Sequence, residues 1–421
     1  MARIGKKTLE DLEFSQVLEQ ISDYCITEPG KERVLEIKPF SNLSHIEDEL
    51  RRVVEFKASF GEDNPIPNHG FDAIYKELHL LEIENSTLEI SGFRRIKSIA
   101  ETTQLLLKYF KKYEEFYVHL NAFSESVSYT SLVADEIDAI IDRYGIVKDN
   151  ASNELLAIRR RLNVVKGQIN SSFTKALSRY AQQDYLDEIR ESIVESRRVL
   201  AVKAMHRKKV RGAVLGSSKT GSIVYIEPQE TLDFTNELSS LTYEEDEEVK
   251  RILKKLTEFI RPYKSLISSY QEYLIAIDSF YAKGKYAMSI EGVMPILTKK
   301  KYTKLIDAYH PLLLVSNRKR RQKTYPQTIS LELEKRIIVI SGPNAGGKSI
   351  TLKTVGLLQV MVQSGILIPV DPMSELRYFK KILTDIGDNQ SIENHLSTYS
   401  YRLKKMNQFL RRCDNKSLFI I

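Results

Sequence analysis

The sequence predicts a multidomain, helix-rich chain. It combines an all-α region, two long antiparallel helices that carry a small β-rich tip, and an α/β region that follows them. Two long runs repeat apolar residues at spacings of three and four, and the segment between these runs alternates β-branched and polar residues. The composition then shifts near Pro295. With 421 residues, the chain is too long for one hydrophobic core, so we expect more than one domain.

Composition excludes several classes of protein. Hydrophobic residues make up 42% and charged residues 28% of the chain, as in proteins with long solvated helices. Cys25 and Cys413 lie far apart, which argues against a disulfide framework and fits a reducing compartment. The N-terminus has no apolar segment of the signal-peptide kind, and no run approaches roughly 18 apolar residues. We therefore expect a cytoplasmic protein with no membrane partner.

Residues 1–150 are predicted to form an all-α region. Its first segment, residues 8–40, places apolar side chains on one broad helical face, and glycine interrupts the later part only at a few positions. Helical periodicity also covers residues 266–295, beyond the two long runs.

The two long runs lie within residues 151–265 and predict a pair of long helices. The first run is Leu155, Ile158, Leu162, Val165 and Ile169. The second is Phe234, Leu238 and Leu241, continued by Val249, Ile252, Leu256 and Ile260. Their similar length and the compact segment between them predict an antiparallel coiled-coil pair. The acidic residues 244–248 are most simply a solvated face of the second helix.

Between these helices, residues 193–228 predict a β-rich tip that is strongly basic. Ile193–Val202, Val210–Leu215 and Ser222–Glu227 are strand-like, and a glycine-bounded turn covers 216–221. From position 197 to 211 there are seven cations and no acid, a local excess equal to the net charge of +7. Such a surface favours a polyanion, and a solvated basic loop is the less favoured alternative. The candidate contacts are Arg197, Arg198, Lys203, Arg207, Lys208, Lys209, Arg211 and Lys219.

The α/β region, residues 296–421, contains the most specific motif of the chain. We predict strands over 328–334 and 337–341, followed by a glycine-rich loop and a helix from Ile350 to Gln363. This strand–loop–helix order is that of a P-loop, whose glycines let consecutive N–H groups face a phosphate. Lysine then reaches the β- and γ-phosphates, and Ser349 holds Mg²⁺. The predicted ATP-binding residues are Gly342, Pro343, Asn344, Ala345, Gly346, Gly347, Lys348 and Ser349.

A second polar segment, Asp385–Ser400, lies downstream of the loop. In dimerising P-loop ATPases such a segment can donate hydroxyl groups to the γ-phosphate held by the opposite subunit. Taken alone, the segment is better explained as a polar loop followed by a helix cap.

Four stretches together make the chain resemble the MutS family of DNA-repair ATPases. The resemblance is to the branch that lacks the mismatch-reading and connector domains, here the MutS-two branch. The stretches are Thr8–Phe14 with Pro29–Lys31, Gly212–Leu238, Tyr309–Leu313, and Ser341–Gly356 with Asp385–Ser400.

The resemblance implies a domain plan and partners. Residues 1–150 and 266–295 would form the core domain, 151–265 the lever and DNA clamp, and 296–421 the N-terminal portion of the ATPase domain. Members of the family dimerise through the ATPase domain and close around duplex DNA. Ser397 and Thr398 match the segment that completes the partner's nucleotide site. ATP and Mg²⁺ are the implied cofactors.

The sequence departs from the family pattern in three respects. Phe60-Gly61-Glu62 has the letters of the mismatch-reading wedge, but core-like sequence already starts at Thr8, so we interpret the match as coincidence. The printed sequence stops at Ile421, before the Walker B acids. The nuclease domain typical of this branch is also not in it. We therefore expect nucleotide binding but leave hydrolysis by these residues open, since chemistry needs a positioned base as well as phosphate binding.

Several functions remain open at this stage. The first is an ATP-dependent clamp on double-stranded or branched DNA that acts in repair or recombination control. The second is a ribosome-associated ATPase that senses or splits collided ribosomes. A third is a DNA-binding fragment without hydrolysis. A coiled-coil ATPase of the SMC or RecN kind is disfavoured because there the coiled coil follows the P-loop, whereas here it precedes Lys348.

Overall fold

The structure is a computed structural model that describes residues 3–62, 65–342, 347–386, 403, 406–407, 409–411 and 413–421. Its helices are α1 Lys6–Asp11, α2 Phe14–Ser22, α3 Glu28–Leu35, α4 Leu43–Ser59, α5 Tyr75–Leu80, α6 Ile90–Lys112, α7 Val118–Glu125, α8 Leu132–Ile140, α9 Asn153–Gln182, α10 Gln229–Ile260, α11 Lys264–Ser289, α12 Pro311–Lys319 and α13 Lys348–Gln363. Its strands are β1 Arg3–Ile4, β2 Leu186–Val194, β3 Arg197–Lys203, β4 Gly212–Ser217, β5 Ile223–Pro228, β6 Ile296–Thr298, β7 Thr303–Ala308, β8 Gln327–Leu331, β9 Glu375–Arg377, β10 Lys381–Thr384 and β11 Ser417–Ile420.

The chain divides into two compact units. The first comprises Met1–Ile74, Ser98–Thr130 and Ser265–Ile421, and the second comprises Tyr75–Lys97 and Ser131–Lys264. Helices dominate both, with small sheets, which confirms a helix-rich multidomain chain. The bounds of the four predicted domain segments stay predictions. No helix within the described residues is long and apolar enough to cross a bilayer.

Asp278 on α11 is a buried polar centre of the first unit. Its carboxylate accepts hydrogen bonds from the backbone N–H of Ile26 and Thr27, both at 2.9 Å, and from the Thr27 hydroxyl at 2.6 Å. His69 Nε2 lies 3.1 Å from Oδ1, the carboxylate oxygen that also accepts from the Ile26 N–H. Burial would raise the pKa of Asp278, but these hydrogen bonds outweigh it and hold the pKa below its usual value. Gly30 packs so closely that a Cβ there would lie 2.1 Å from Asp278 Oδ2.

Phe60, at the end of α4, is part of the aromatic packing of the first unit. Its ring lies 5.5 Å from that of Tyr281 in an edge-on arrangement, and Lys285 Nζ lies 4.0 Å from its centre. A side chain engaged in this way is a packing residue, which agrees with the interpretation of Phe60-Gly61-Glu62 as coincidence.

Two sheets belong to the first unit. One is parallel in the order β1-β10-β11, and the other is mixed in the order β6-β9-β7-β8. Helix α13 packs closely against the parallel sheet. A Cβ on Gly356 would lie 2.5 Å from Leu12 Cδ2 and 2.6 Å from Ile420 Cδ1. The absence of a side chain at Gly356 lets α13 approach β11 this closely.

The predicted strand over 337–341 is wrong. These residues belong to no strand, and Ile337 and Val339 are each 85% exposed. The upstream strand predicted over 328–334 is observed as β8, Gln327–Leu331. A β-branched run becomes a strand only where a neighbouring strand completes its hydrogen bonds and covers one face. No described strand does so for 337–341.

In the second unit, α9 and α10 run antiparallel, as the two apolar runs predict. Arg179 near the end of α9 pairs with Glu230 near the start of α10 at 2.5 Å, whereas Arg159 near the start of α9 pairs with Glu245 at 2.7 Å. The coiled-coil geometry and the lever role stay predictions. The acidic run is not wholly solvated, because Glu248 is only 7% exposed and accepts a 2.6 Å hydrogen bond from Ser152.

The β-rich tip is a four-stranded antiparallel sheet in the order β2-β3-β5-β4. It packs on the end of α9 through one buried apolar cluster, formed by Phe173, Ala176, Tyr180, Leu186, Leu200, Val202, Val210 and Ile226. The tip begins earlier than predicted, at Leu186, and the stretch predicted as continuous over 193–202 is a hairpin. Its turn residues, Glu195 and Ser196, both have positive φ, 48° and 62°.

Candidate nucleotide and nucleic-acid sites

The described part of the predicted P-loop is Gly342 and the N-terminus of α13. Gly347 precedes the helix with φ 79°, a left-handed conformation that glycine adopts without steric cost. Lys348 and Ser349 are the first two helical residues, and the predicted helix is observed. Thr351 ties the turn by donating its N–H at 2.9 Å and its hydroxyl at 3.1 Å to the Gly347 carbonyl.

This helix N-terminus fits a phosphate group. Lys348 Nζ donates to the Gly342 carbonyl, so the lysine side chain reaches back to the first glycine of the motif. A Cβ added to Gly342 or Gly347 would meet no atom of the described residues within 4 Å. Helix N–H groups, the helix dipole and the ammonium group together favour an anion there.

The Mg²⁺ prediction has one candidate protein ligand among the described residues. Ser349 is partly exposed at the start of α13. No group of three or more His, Cys, Asp or Glu side chains suited to a metal occurs in the part of the chain that the structure describes. Pro343, Asn344, Ala345, Gly346, Ser397 and Thr398 lie outside the described residues, so their predicted roles stay predictions.

Two residues beside this helix, Glu13 and His310, were not predicted from sequence. Lys353, one turn into α13, pairs with Glu13 at 2.7 Å. Burial lowers the pKa of His310 to about 4. The charge of Glu13 raises this pKa, and the charge of Lys353 lowers it. The imidazole is therefore neutral at neutral pH. Glu13 and Lys353 are 340 positions apart, so neither local pattern nor spacing indicates the pair.

The candidate nucleic-acid residues lie on the β-rich tip, many of them on one connection that we call the basic crossover, residues 204–211. Strand β3 ends opposite the start of β5, whereas β4 begins opposite the end of β5. The connection from β3 to β4 must therefore run the length of the sheet. It is held at one end by the Ala204 N–H, which donates to Ser222, and at the other by the Arg211 carbonyl, which accepts from Gln229.

Three of the predicted contacts are engaged within the protein. Arg197 pairs with Glu227 at 2.8 Å, and Glu227 is only 1% exposed. Arg198 pairs with Glu191 at 2.6 Å, and its guanidinium lies 4.3 Å from the centre of the Phe173 ring. Lys203 pairs with Asp184 at 2.8 Å. These cations stabilise the tip, and their charge is largely neutralised locally.

The remaining predicted contacts have no ion pair with any residue that the structure describes. Arg207 is half-buried, and the others are exposed. Four of the five lie on the basic crossover, and the fifth is in the β4–β5 loop, close in sequence to Ser222, which anchors the crossover. The structure thus divides the basic run into a structural and an available set. The available set is Arg207, Lys208, Lys209, Arg211 and Lys219.

Comparison with known proteins bears on both sites. A family model described as MutS domain V matches residues 338–421, the segment that contains α13. Nearly the whole chain is similar to proteins named Endonuclease MutS2. Identity is 31% over 417 residues for that of Aquifex aeolicus, 29% over 424 residues for Halothermothrix orenii and 31% over 422 residues for Clostridium perfringens.

The alignments cover the two partners unequally. Each includes 99% of this chain but only 52–53% of the relative. The chain thus spans about half the length of the curated relatives it matches.

Proposed function

Because the chain belongs to the MutS family and is of the MutS2 type, we propose that it is an ATP-binding protein that holds DNA through its β-rich tip. In a protein of the relatives' full length, ATP hydrolysis would drive the change between clamp states, in repair or recombination control. The chain would act as a homodimer in which Ser397 and Thr398 complete the partner's nucleotide site.

The nucleotide half of this proposal is supported by the N-terminus of α13. Gly347, Lys348 and Ser349 stand in the order that phosphate binding needs, at the start of a helix of 16 residues. Bound Mg²⁺ would neutralise charge on the β- and γ-phosphates, and Ser349 is the residue that would hold it.

The observation that carries the DNA half is the division of the basic run. A solvated basic loop would show no organisation, whereas here the structural cations are paired and the others are left along one anchored connection. Unpaired cations on a fixed backbone bind phosphates and position the protein without reading sequence.

The same chemistry serves the ribosome interpretation, since rRNA presents phosphates as DNA does. The test is binding of the purified chain to linear duplex, four-way DNA junctions and ribosomes at several salt concentrations. We expect the junction to bind most tightly. A preference for ribosomes would support the alternative target, and binding to none of the three would refute the nucleic-acid proposal.

The nucleotide half has a separate test. Lys348→Ala should weaken binding of a fluorescent ATP analogue by at least about tenfold, whereas Lys319→Ala, an exposed lysine of the same unit, should not. Equal binding by both variants would contradict the assignment. ATP turnover that Lys348→Ala abolishes would exclude the non-hydrolysing alternative, and binding without turnover would support it.

A further inference from the structure

The basic crossover carries an apolar side chain that its role as a phosphate-binding surface does not explain. Met205 is 81% exposed, the highest value among large apolar side chains in the described part of the second unit. Single exposed apolar residues are common on surfaces and need no function. The surroundings of Met205 distinguish it, because His206, Arg207, Lys208 and Lys209 follow it directly.

The backbone that presents Met205 is held on several sides. Residues Ala204–Lys209 form a 3-10 helix, and the N–H of Ala204 donates to the Ser222 carbonyl at 2.9 Å. At the other end of this helix, Val210 is 2% exposed and belongs to the buried apolar cluster of the tip. The turn is therefore fixed at both ends, and little conformational freedom remains to be given up when it binds.

Side chains hold the turn as well. The His206 ring packs against Tyr185 in a tilted arrangement with centroids 4.9 Å apart, and Lys209 Nζ lies 5.1 Å from the centre of the same Tyr185 ring. Neither contact covers Met205. The result is an unbranched apolar side chain projecting from a rigid turn among cations without ion pairs to the described residues.

From this arrangement we propose that Met205 inserts into duplex DNA where base stacking is interrupted, while the cations beside it hold the flanking phosphates. Proteins that bend DNA use Met, Leu, Ile or Phe as such wedges, and they do so against the free energy of unstacking a base step. A nick, a bulged base or a branch point has already given up that stacking. The crossover would then prefer interrupted duplex over intact duplex of the same sequence.

This inference rests on the proposed function and specifies its substrate class. The positive charge of the basic crossover favours a polyanion as its ligand. The exposed Met205 side chain favours a polyanion whose apolar interior is accessible. Duplex DNA with an interrupted stack has both properties. An intact duplex offers only its phosphates to the same residues.

The test compares labelled duplexes of one sequence that are intact, nicked or bulged, at fixed salt. The wild-type chain should bind the interrupted duplexes about tenfold more tightly, because the cost of unstacking is spared. Met205→Ala should lose most of this preference and keep its affinity for intact duplex within about twofold, because no phosphate contact changes. Met205→Leu should retain the preference. Ile193→Ala, which truncates another apolar side chain of the tip that is 71% exposed, is the matched control and should also retain it.

A fluorescent base analogue beside the nick supplies a readout of insertion. Its emission should rise on binding of the wild-type chain and stay unchanged with Met205→Ala. If Met205→Ala retains both the preference and the emission change, the wedge is refuted while DNA binding stands. If no variant binds any duplex, the proposed function fails first, and the inference fails with it.

Discussion

Replacement of Arg207, Lys208 and Lys209 together by alanine tests whether the basic crossover is the DNA contact. None of the three has an ion pair within the described residues, so their removal breaks no salt bridge there. The substitution does remove the Lys209 ammonium from its position 5.1 Å from the centre of the Tyr185 ring. This cation–π interaction is worth about 0.5–1 kcal/mol at an exposed site. We therefore expect the variant to fold.

The expected change in the salt dependence of DNA binding follows from counterion release. Each phosphate contact contributes roughly 0.9 to the slope of log K against log salt concentration, so three contacts should reduce its magnitude by about 2.7. Between about 50 and 200 mM salt, the advantage of wild type over the variant should then shrink about forty-fold. A reduction near about 1.8 would mean that two of the three side chains reach phosphates.

The assay is fluorescence anisotropy of a labelled duplex across that salt range, with thermal unfolding as a check on folding. The matched control replaces Arg160, Lys166 and Lys175, which are exposed cations on α9 without ion pairs in the described structure. It removes the same charge from the same unit. Equal slope changes in the two variants would show that net charge governs binding, and no change in the first would remove the crossover from the interface.

Three further predictions concern the tip and the first unit. Gly212→Ala should destabilise the tip by about 2–4 kcal/mol in chemical denaturation, because φ is 151° and the new Cβ would lie 2.0 Å from the Glu227 carbonyl oxygen. The control Gly216→Ala, whose Cβ would have its nearest atom at 3.9 Å, should be nearly neutral. Arg197→Ala should lower the unfolding free energy by about 2 kcal/mol, because it leaves Glu227 buried without its cation, and Arg197→Lys should lower it less. Equal thermal midpoints for Arg197→Ala and wild type would contradict this. The folded state lowers the pKa of Asp278, so ionised Asp278 stabilises the fold above its unfolded pKa of about 3.9, and this stabilisation is lost as the pH falls through the folded pKa. The difference in unfolding free energy between wild type and Asp278→Asn should therefore narrow on acidification. A difference that widens would refute the assignment.

The long helices could be predicted from sequence because their signal is periodic and local. Leu155, Leu162 and Val165 are all buried, as are Ile252 and Leu256 on the facing helix, and this is the pattern that the apolar spacing requires. Helix α13, which follows the predicted P-loop, was predictable for a different reason. Its glycines and lysine occupy fixed positions whose chemistry is local to the motif.

Features that depend on partners distant in sequence could not be predicted. The paired state of Arg197 depends on Glu227, 30 positions away, and that of Lys203 on Asp184, 19 positions away. A count of charges along the chain does not distinguish these cations from Lys208. It therefore predicts a basic surface, but not which of its cations form ion pairs within the protein. The hairpin turn at Glu195 and Ser196 has none of the Asn, Asp or Gly residues that usually indicate such a turn. There, pairing of the flanking strands overrides local preference.

The separation in sequence of contacting segments has a consequence for synthesis on the ribosome. The Thr8 hydroxyl donates to the Ile382 carbonyl, 374 positions later, and the Ile26 N–H finds its acceptor on Asp278 only 252 positions later. At roughly 5–20 residues per second, the second contact must wait about 13 to 50 seconds after Ile26 is made. Ser131–Lys264, by contrast, is one continuous segment that can complete α9, the sheet and α10 from its own residues. We therefore expect the nascent chain to fold its β-rich tip while the helices made first still lack their polar partners, so those early helices are the segment that most needs protection from aggregation during translation.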